Sequence, residues 1–365
     1  MRHRLPGTAL MRSTVVLLAG LAGCAGTGHH EPTHTPTVTA THAQPRRSRP
    51  ARSRVAVAQP PLQALVTSPS EDRVLVVDLR SGRVLRQISV PGDPGYVFAI
   101  GSGGPVAVAS SLAGTVTLLG GTSLHVMTVL NGFTDPEIPA MSPDGEYAYV
   151  TEGVPGRVAV IQLSDDRITS RVFVGAGAHH LAFSPNLQQV WVALGQSAAT
   201  IVILSTVVES PPSPASVVAD PGRPHLVARL RPGYLAHDVQ FTPDGRQVWI
   251  TSASSTSVGV FSARSRRLLF RIPGGPPPQH VVFAGRYAYI TSGYGSSIEQ
   301  VSLLSGRVLK RVAAPYGSFD LDAGGGYVVT SSLMRGTVAI YDTRLHLLRV
   351  RRVAPTAEDV ILYRP

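Results

Sequence analysis

The chain has 365 residues, 43% of them hydrophobic and 15% charged, with 36 Gly and 30 Pro. That balance excludes a disordered polyelectrolyte and suits a strand-rich core with many tight turns. The formal net charge of +11 is unevenly placed: eight Arg and one Glu fall in residues 1–60, so the remainder of the chain is only mildly basic. A single cysteine, Cys24, excludes any disulfide within one chain.

In chain order, the first segment reads as an export signal. Arg2, Arg4 and Arg12 are followed by an apolar run from Ser13 to Ala22, too short to cross a bilayer, which needs about 20 residues. It ends in Leu21-Ala22-Gly23-Cys24, which resembles the bacterial lipobox. The resemblance implies a signal peptide over 1–23 and a diacylglyceryl group on Cys24, hence a lipoprotein held at the extracytoplasmic face of the cell membrane. A lipidated Cys24 leaves no thiol for catalysis.

Residues 24–60 form a Pro/Thr/Arg-rich tether without apolar periodicity. Arg46, Arg47, Arg49, Arg52 and Arg54 cluster within it. They suit an anionic lipid surface, at about 1 kcal/mol per cation near the headgroups, or an anionic wall polymer; a solvated basic linker is the plainer alternative, and nucleic acid is not favoured. His29, His30, His34 and His42 are spaced too irregularly for a metal site.

From residue 61 to 365 the chain repeats itself. Equivalent pairs stand at Thr67-Ser68, Ala109-Ser110, Thr151-Glu152, Ala193-Leu194, Thr251-Ser252, Thr291-Ser292 and Thr330-Ser331. A short apolar strand precedes each pair, an alternating strand comes after it, and a turn such as Ser81-Gly82-Arg83 or Ser305-Gly306-Arg307 leads to one more. A period near 40 with several short strands per unit predicts an all-β, seven-bladed β-propeller. The first repeat lacks its leading strand, and Glu358-Asp-Val-Ile-Leu362 supplies one after the seventh, so the C-terminal strand is expected to close the ring and remove an open sheet edge. The step between the fourth and fifth pairs implies about 16 extra residues near 207–222, a Pro-rich insertion expected to be tolerated rather than functional.

Three turns, Ser142-Pro-Asp-Gly145, Ser184-Pro-Asn186 and Thr242-Pro-Asp-Gly245, each precede a strand such as Tyr147-Ala-Tyr-Val-Thr151 or Val248-Trp-Ile-Thr-Ser252. With the Ser-Gly-Arg-Val-Leu turns, this pattern over roughly residues 62–365 resembles the YVTN-type propellers of the lactonase-like and amine-dehydrogenase-like group. Trp191 and Trp249 do not precede Asp, so the WD signature is absent. Asp144 and Asp244 read as turn residues.

Members of that group bind, scaffold or catalyse, so the resemblance implies fold more than function. The starts of the leading strands are the most polar ring available. Aligned on Met141, Phe183, Phe241, Phe283, Leu321 and Leu362, they offer Glu137 and Ile138, His179 and His180, His237 and Asp238, Gln279 and His280, Gly317 and Ser318, and Glu358 and Asp359, with Tyr96 from the second blade. Strict alternation would put His180, Asp238, His280, Ser318 and Asp359 on one face and Glu137, His179, His237 and Glu358 on the other. Three uses remain open for this rim: a small-molecule or protein site built on His180, Asp238, His280, Asp359, His237 and Glu137, a metal site, or structural hydrogen bonding. No catalytic signature is present, and neither a metal nor an organic cofactor is assigned. The expected function is a lipid-anchored binding or scaffolding module; the alternative is a channel-centred enzyme of the lactonase or lyase kind. Replacing Cys24 by Ala should abolish incorporation of tagged palmitate; continued labelling would refute the lipobox reading.

Overall fold

The computed structural model describes residues 62–195, 197–208, 218–252, 254–275 and 277–365. The export signal, Cys24, the tether with its Arg cluster, and positions 209–217 of the insertion lie outside the described residues. Among the described residues, no helix is long and apolar enough to cross a membrane.

These residues build seven four-stranded antiparallel sheets. Blade 2 is typical, running outward through Pro94–Ala99, Val106–Ser110, Thr115–Leu119 and Val126–Asn131. Blades 3 to 7 lead with Pro136–Met141, Leu181–Phe183, Ala236–Phe241, Val281–Ala284 and Leu321–Gly324. Blade 1 takes its innermost strand from the C-terminus: Val360–Tyr363 pairs antiparallel with Gln63–Ser68, Val66 against Val360 and Ala64 against Leu362. The expected ring closure is therefore present.

The second and third strands of each blade are buried along nearly their whole length. Successive side chains on a strand point to opposite faces, so each blade feeds two interfaces. Ala64, Val66, Leu75 and Val77 of blade 1 pack with Val329, Val338 and Ile340 of blade 7, whereas Leu65, Val74 and Val76 pack with Val97, Val106 and Val108 of blade 2. The same sharing recurs between every other neighbouring pair. A single blade thus has no core of its own.

The turn chemistry agrees with the sequence. Gly145 and Gly245 take φ of 76° and 67°, where an L side chain is disfavoured. Thr242 Oγ1 donates to Asp244 Oδ1 at 2.7 Å, which also accepts from Arg246 N at 3.0 Å; Asp144 likewise accepts from Glu146 N at 3.1 Å. In the Asn186 version, Leu187 occupies the left-handed position at φ 64°.

The repeated threonines latch the blades together. Thr67 Oγ1 donates to Gly95 O of the next blade at 2.8 Å and accepts from Asp359 N of its own at 2.9 Å. Thr251 and Thr291 accept from Asp238 N and His280 N and donate to Gln279 O and Phe319 O of the following blade. In blade 7 Ser331 makes the cross-blade bond, donating to Glu358 O at 2.6 Å; the repeat unit there is Ser331-Ser332, one residue beyond the expected Thr330-Ser331 pair.

The insertion lies between the third and outer strands of blade 4, and its stem is a two-stranded ribbon of Val207–Val208 and Val218–Ala219. Tyr149 of blade 3 donates its phenol to Pro221 O at 2.5 Å, so the stem is tied to the neighbouring blade.

Because Val360 and Tyr363 are buried in two different inter-blade clusters, deleting residues 356–365 should destabilise the propeller by on the order of 3–6 kcal/mol, about 1.5–3 per buried side chain. Denaturant unfolding checks this, and an unchanged midpoint would show that closure does not hold the ring.

Candidate channel site

The innermost strands begin with an irregularity that decides where their polar side chains go. Pairing slips between Ala236 and Val239, between Pro136 and Pro139 and between Pro94 and Tyr96; at the first two, Thr251 and Thr151 of the neighbouring strand take the N–H of Asp238 and of Ile138. A bulge breaks strict alternation, so in blades 2, 3 and 5 parity no longer fixes which residues turn toward the channel. This corrects the expectation that His180 and His237 must face opposite ways: the rings of His179, His180, His237 and His280 all meet, with neighbouring centroids 4.4 to 5.6 Å apart.

The register also corrects blade 7. Leu321 pairs with Thr330 and Ala323 with Val328, so Ala323, not Leu321, matches Phe283, which pairs with Ala288. The ring position of blade 7 is therefore Asp320 rather than Gly317 or Ser318. The inner ring comprises Asp359, Tyr96, Ile138, His180, Asp238, His280 and Asp320, all lining a channel cavity of about 430 Å³. One residue earlier in each blade lies a rim that includes Glu358, Glu137, His179, His237, Gln279 and Phe319. Between these levels a smaller cavity of about 170 Å³ opens beside Tyr96, His237, His280, Tyr294, Asp320 and Glu358. Glu137, His179 and His237 line a third, of about 380 Å³.

Two residues expected at a ligand site are committed to the scaffold by their hydrogen bonds. Asp238 accepts from Val239 N at 2.7 Å and, across the blade boundary, from Val281 N at 3.1 Å. Asp359 accepts from Val360 N at 2.6 Å and from Val97 N of blade 2 at 2.7 Å. Asp322 makes the same bridge from blade 7 to Leu362 N at 2.7 Å. Each carboxyl satisfies buried main-chain donors on its own and on the next blade's innermost strand.

The imidazoles are differently placed. His280 Nδ1 lies 3.3 Å from Asp320 Oδ1, and His179 Nε2 lies 3.8 Å from Glu137 Oε2. His179 Nδ1 and His180 Nδ1 are 2.6 Å apart, so one of them carries the proton. His180 Nε2 is buried and has no partner in hydrogen-bond geometry, although the His237 main chain lies near enough to oppose slightly the fall in its pKa. Although no metal ligands were assigned from the sequence, His180, His237 and His280 bring one nitrogen each to within 4.8 Å of the others.

Burial shifts nearly every ionisable group here toward its neutral form. It drives His179 down to about 4 and His180 and His237 well below the ordinary imidazole value, with the neighbouring imidazoles adding to the fall. His280 also falls through burial, opposed by Asp238 and Asp359. Burial raises Asp320 and Glu137 to about 7 and Glu358 to about 8. Asp359 is pushed well above the carboxylate range, first by burial and then by Asp320, with which it shares a hydrogen bond. At neutral pH the imidazoles are uncharged, while Asp320 and Glu137 stand near the midpoint of their titration.

Comparison with known proteins agrees at the level of fold. No protein-family profile matches the chain. A functionally unknown protein from Desulfotomaculum acetoxidans DSM 771 superposes with a TM-score of 0.68 at 17% identity, covering 83% of this chain and 99% of that one. A protein from Lactobacillus plantarum gives 0.68 at 12%, covering 84% and 99%. The dihydro-heme d1 dehydrogenase NirN, solved in complex with DHE, gives 0.58 at 18%, covering 80% of this chain and 64% of that one. At these identities the likeness establishes the propeller fold alone.

A carboxyl kept protonated by burial holds more protons folded than unfolded, so its contribution to stability is complete below its unfolded pKa and disappears as pH rises through the folded one. Imidazoles kept neutral act in the opposite sense, and their contribution is lost only as pH falls below about 6.5. Stability should therefore decline from pH 6.5 to 9, and Glu358→Gln should flatten the upper part of that decline. Melting temperatures across this range check it; an identical slope in the variant would contradict the raised Glu358 pKa.

Proposed function

We propose that this chain is an exported, lipid-anchored propeller of the YVTN type that binds a small polar ligand at the mouth of its channel. The observation that carries the reading is the convergence of His237, His280, Asp320 and Glu358 on one cavity with Tyr96 and Tyr294 beside them. Aromatic walls with a few convergent polar groups are the usual make-up of a ligand pocket. The neutral imidazoles and the buried carboxyls together both donate and accept hydrogen bonds, which suits a polar molecule.

The lipobox-like Leu21-Ala22-Gly23-Cys24 supports anchoring through Cys24 at the extracytoplasmic face of the membrane. Arg46, Arg47, Arg49, Arg52 and Arg54 support contact of the tether with anionic headgroups or a wall polymer.

A second reading, a channel-centred enzyme, is favoured by one pair. Asp320, its pKa raised to about 7, stands 3.3 Å from His280 Nδ1, and a carboxyl that titrates near neutrality is suited to general acid–base work.

Thermal-shift screening of polar metabolites should give a hit for the wild type that His237→Ala together with Glu358→Gln reduces at least tenfold in affinity. A hit retained at full affinity in that variant would move the site away from the mouth. Turnover of any hit, with a pH profile breaking near 7 and lost in Asp320→Asn, would select the enzymatic reading.

A further inference from the structure

We propose that His180, His237 and His280 form a three-imidazole site for one divalent transition-metal ion of borderline softness, of the zinc and cobalt class. The inference rests on the channel being a binding site and names what its floor binds. One nitrogen from each ring already lies within 4.8 Å of the other two. Tetrahedral zinc with Zn–N of about 2.0–2.1 Å places its ligand atoms about 3.4 Å apart, so the rings need to close by about an ångström or a little more. His237 sits on the part-exposed rim, where such a movement displaces no core residue.

The second observation is the orphaned nitrogen. A buried polar atom without a partner is costly, and His180 Nε2 is one. Its other nitrogen is held by His179 Nδ1 at 2.6 Å, which fixes the ring and leaves Nε2 as the nitrogen available to an ion. His280 is arranged comparably: Asp320 Oδ1 stands 3.3 Å from Nδ1, leaving Nε2 as the nitrogen available to an ion. Metal-binding imidazoles characteristically have their second nitrogen engaged in this way, by a carboxylate or another polar group that sets tautomer and orientation. His179 and Asp320 are therefore positioning residues.

Softness is set by the donor groups. Three imidazoles without a coordinating carboxylate suit zinc, cobalt, nickel or copper rather than calcium or magnesium, which take oxygen. Three protein ligands leave a fourth position, and a 170 Å³ cavity touches two of them, His237 and His280. The polar ligand of the proposed function would enter there, next to the ion.

The test uses the full chain, with His29, His30, His34 and His42 replaced by Ala so that the tether cannot compete. Chelator-treated protein is titrated with Co²⁺ and Zn²⁺ in the absence of any organic molecule, following visible absorption and calorimetry. The expected result is one equivalent bound, with the intense absorption of four-coordinate cobalt. Binding should be lost in His180→Ala and His280→Ala and weakened about 10–100-fold in Asp320→Asn. His346→Ala, at an exposed His–Asp pair on blade 7, should bind like its parent. Circular dichroism checks folding, and if the buried substitutions unfold the chain, part-exposed His237→Ala carries the test and must weaken binding at least tenfold. The inference is overturned if the parent takes up no stoichiometric Co²⁺ or Zn²⁺ at micromolar concentration, or if folded variants still bind one equivalent. If the metal titration fails while a screening hit still binds the chelated protein, the proposed function stands and this site alone is overturned.

Discussion

Everything in this propeller depends on the pairing of Val360–Tyr363 with Gln63–Ser68. Since each apolar cluster is shared by two blades, the ring is a cyclic chain of interfaces in which the loss of one exposes two faces. A linear array of such units would leave both terminal blades half-buried, which is why repeat proteins ordinarily need capping units. Closure replaces the caps. It also fixes the innermost strands against one another from both sides, so a channel side chain cannot relieve an unfavourable position by letting its blade rotate away.

The latch threonines explain why this closed ring has a polar centre. A hydroxyl inserted where Asp238 N, His280 N or Asp359 N would bond to the adjacent strand takes over that donor. The innermost strands also carry main-chain N–H groups that need another acceptor. Asp238 and Asp359 supply the acceptors across the blade boundary. The polar residues at the channel thus belong to two populations. Asp238, Asp322 and Asp359 keep buried main chain satisfied, whereas His180, His237 and His280 do little for it; Asp320 stands between the two, accepting from Leu321 N at 2.7 Å while facing His280.

This division marks what the sequence could disclose. The repeat, the Pro-Asp-Gly turns and the orphan strand at 358–362 are local patterns, and local patterns survive translation into structure. The ring position of blade 7 was hidden because Ala323-Gly324 lacks the bulky residue that marks the same place in Phe183, Phe241 and Phe283; Asp320 therefore fell outside the aligned column. The meeting of His180 and His237 was hidden for another reason. They differ in strand parity, and parity predicts orientation only where the ladder is regular. The latch threonines were visible as a repeat, but their effect on parity depends on a hydroxyl bonding two blades at once, and the one-dimensional pattern does not contain that relation.

Natural sequences agree with their folds at most positions and break that agreement where function requires it. The blades here conform closely: apolar second and third strands, left-handed glycines at turns, hydroxyls latched twice. Against that background four contacting imidazoles, one with an unpartnered buried nitrogen, are an anomaly. Isosteric apolar residues would fill the same space without leaving a donor or acceptor unmet. The cluster reduces the stability of the free protein relative to such a core, and the closed ring, stabilised by its shared interfaces, tolerates the loss. Burial keeps the four rings uncharged, so none needs to shed a proton before offering a lone pair at neutral pH. A group of lone pairs that is unfavourable while unfilled, held on strands that cannot move apart, is already organised for whatever fills it.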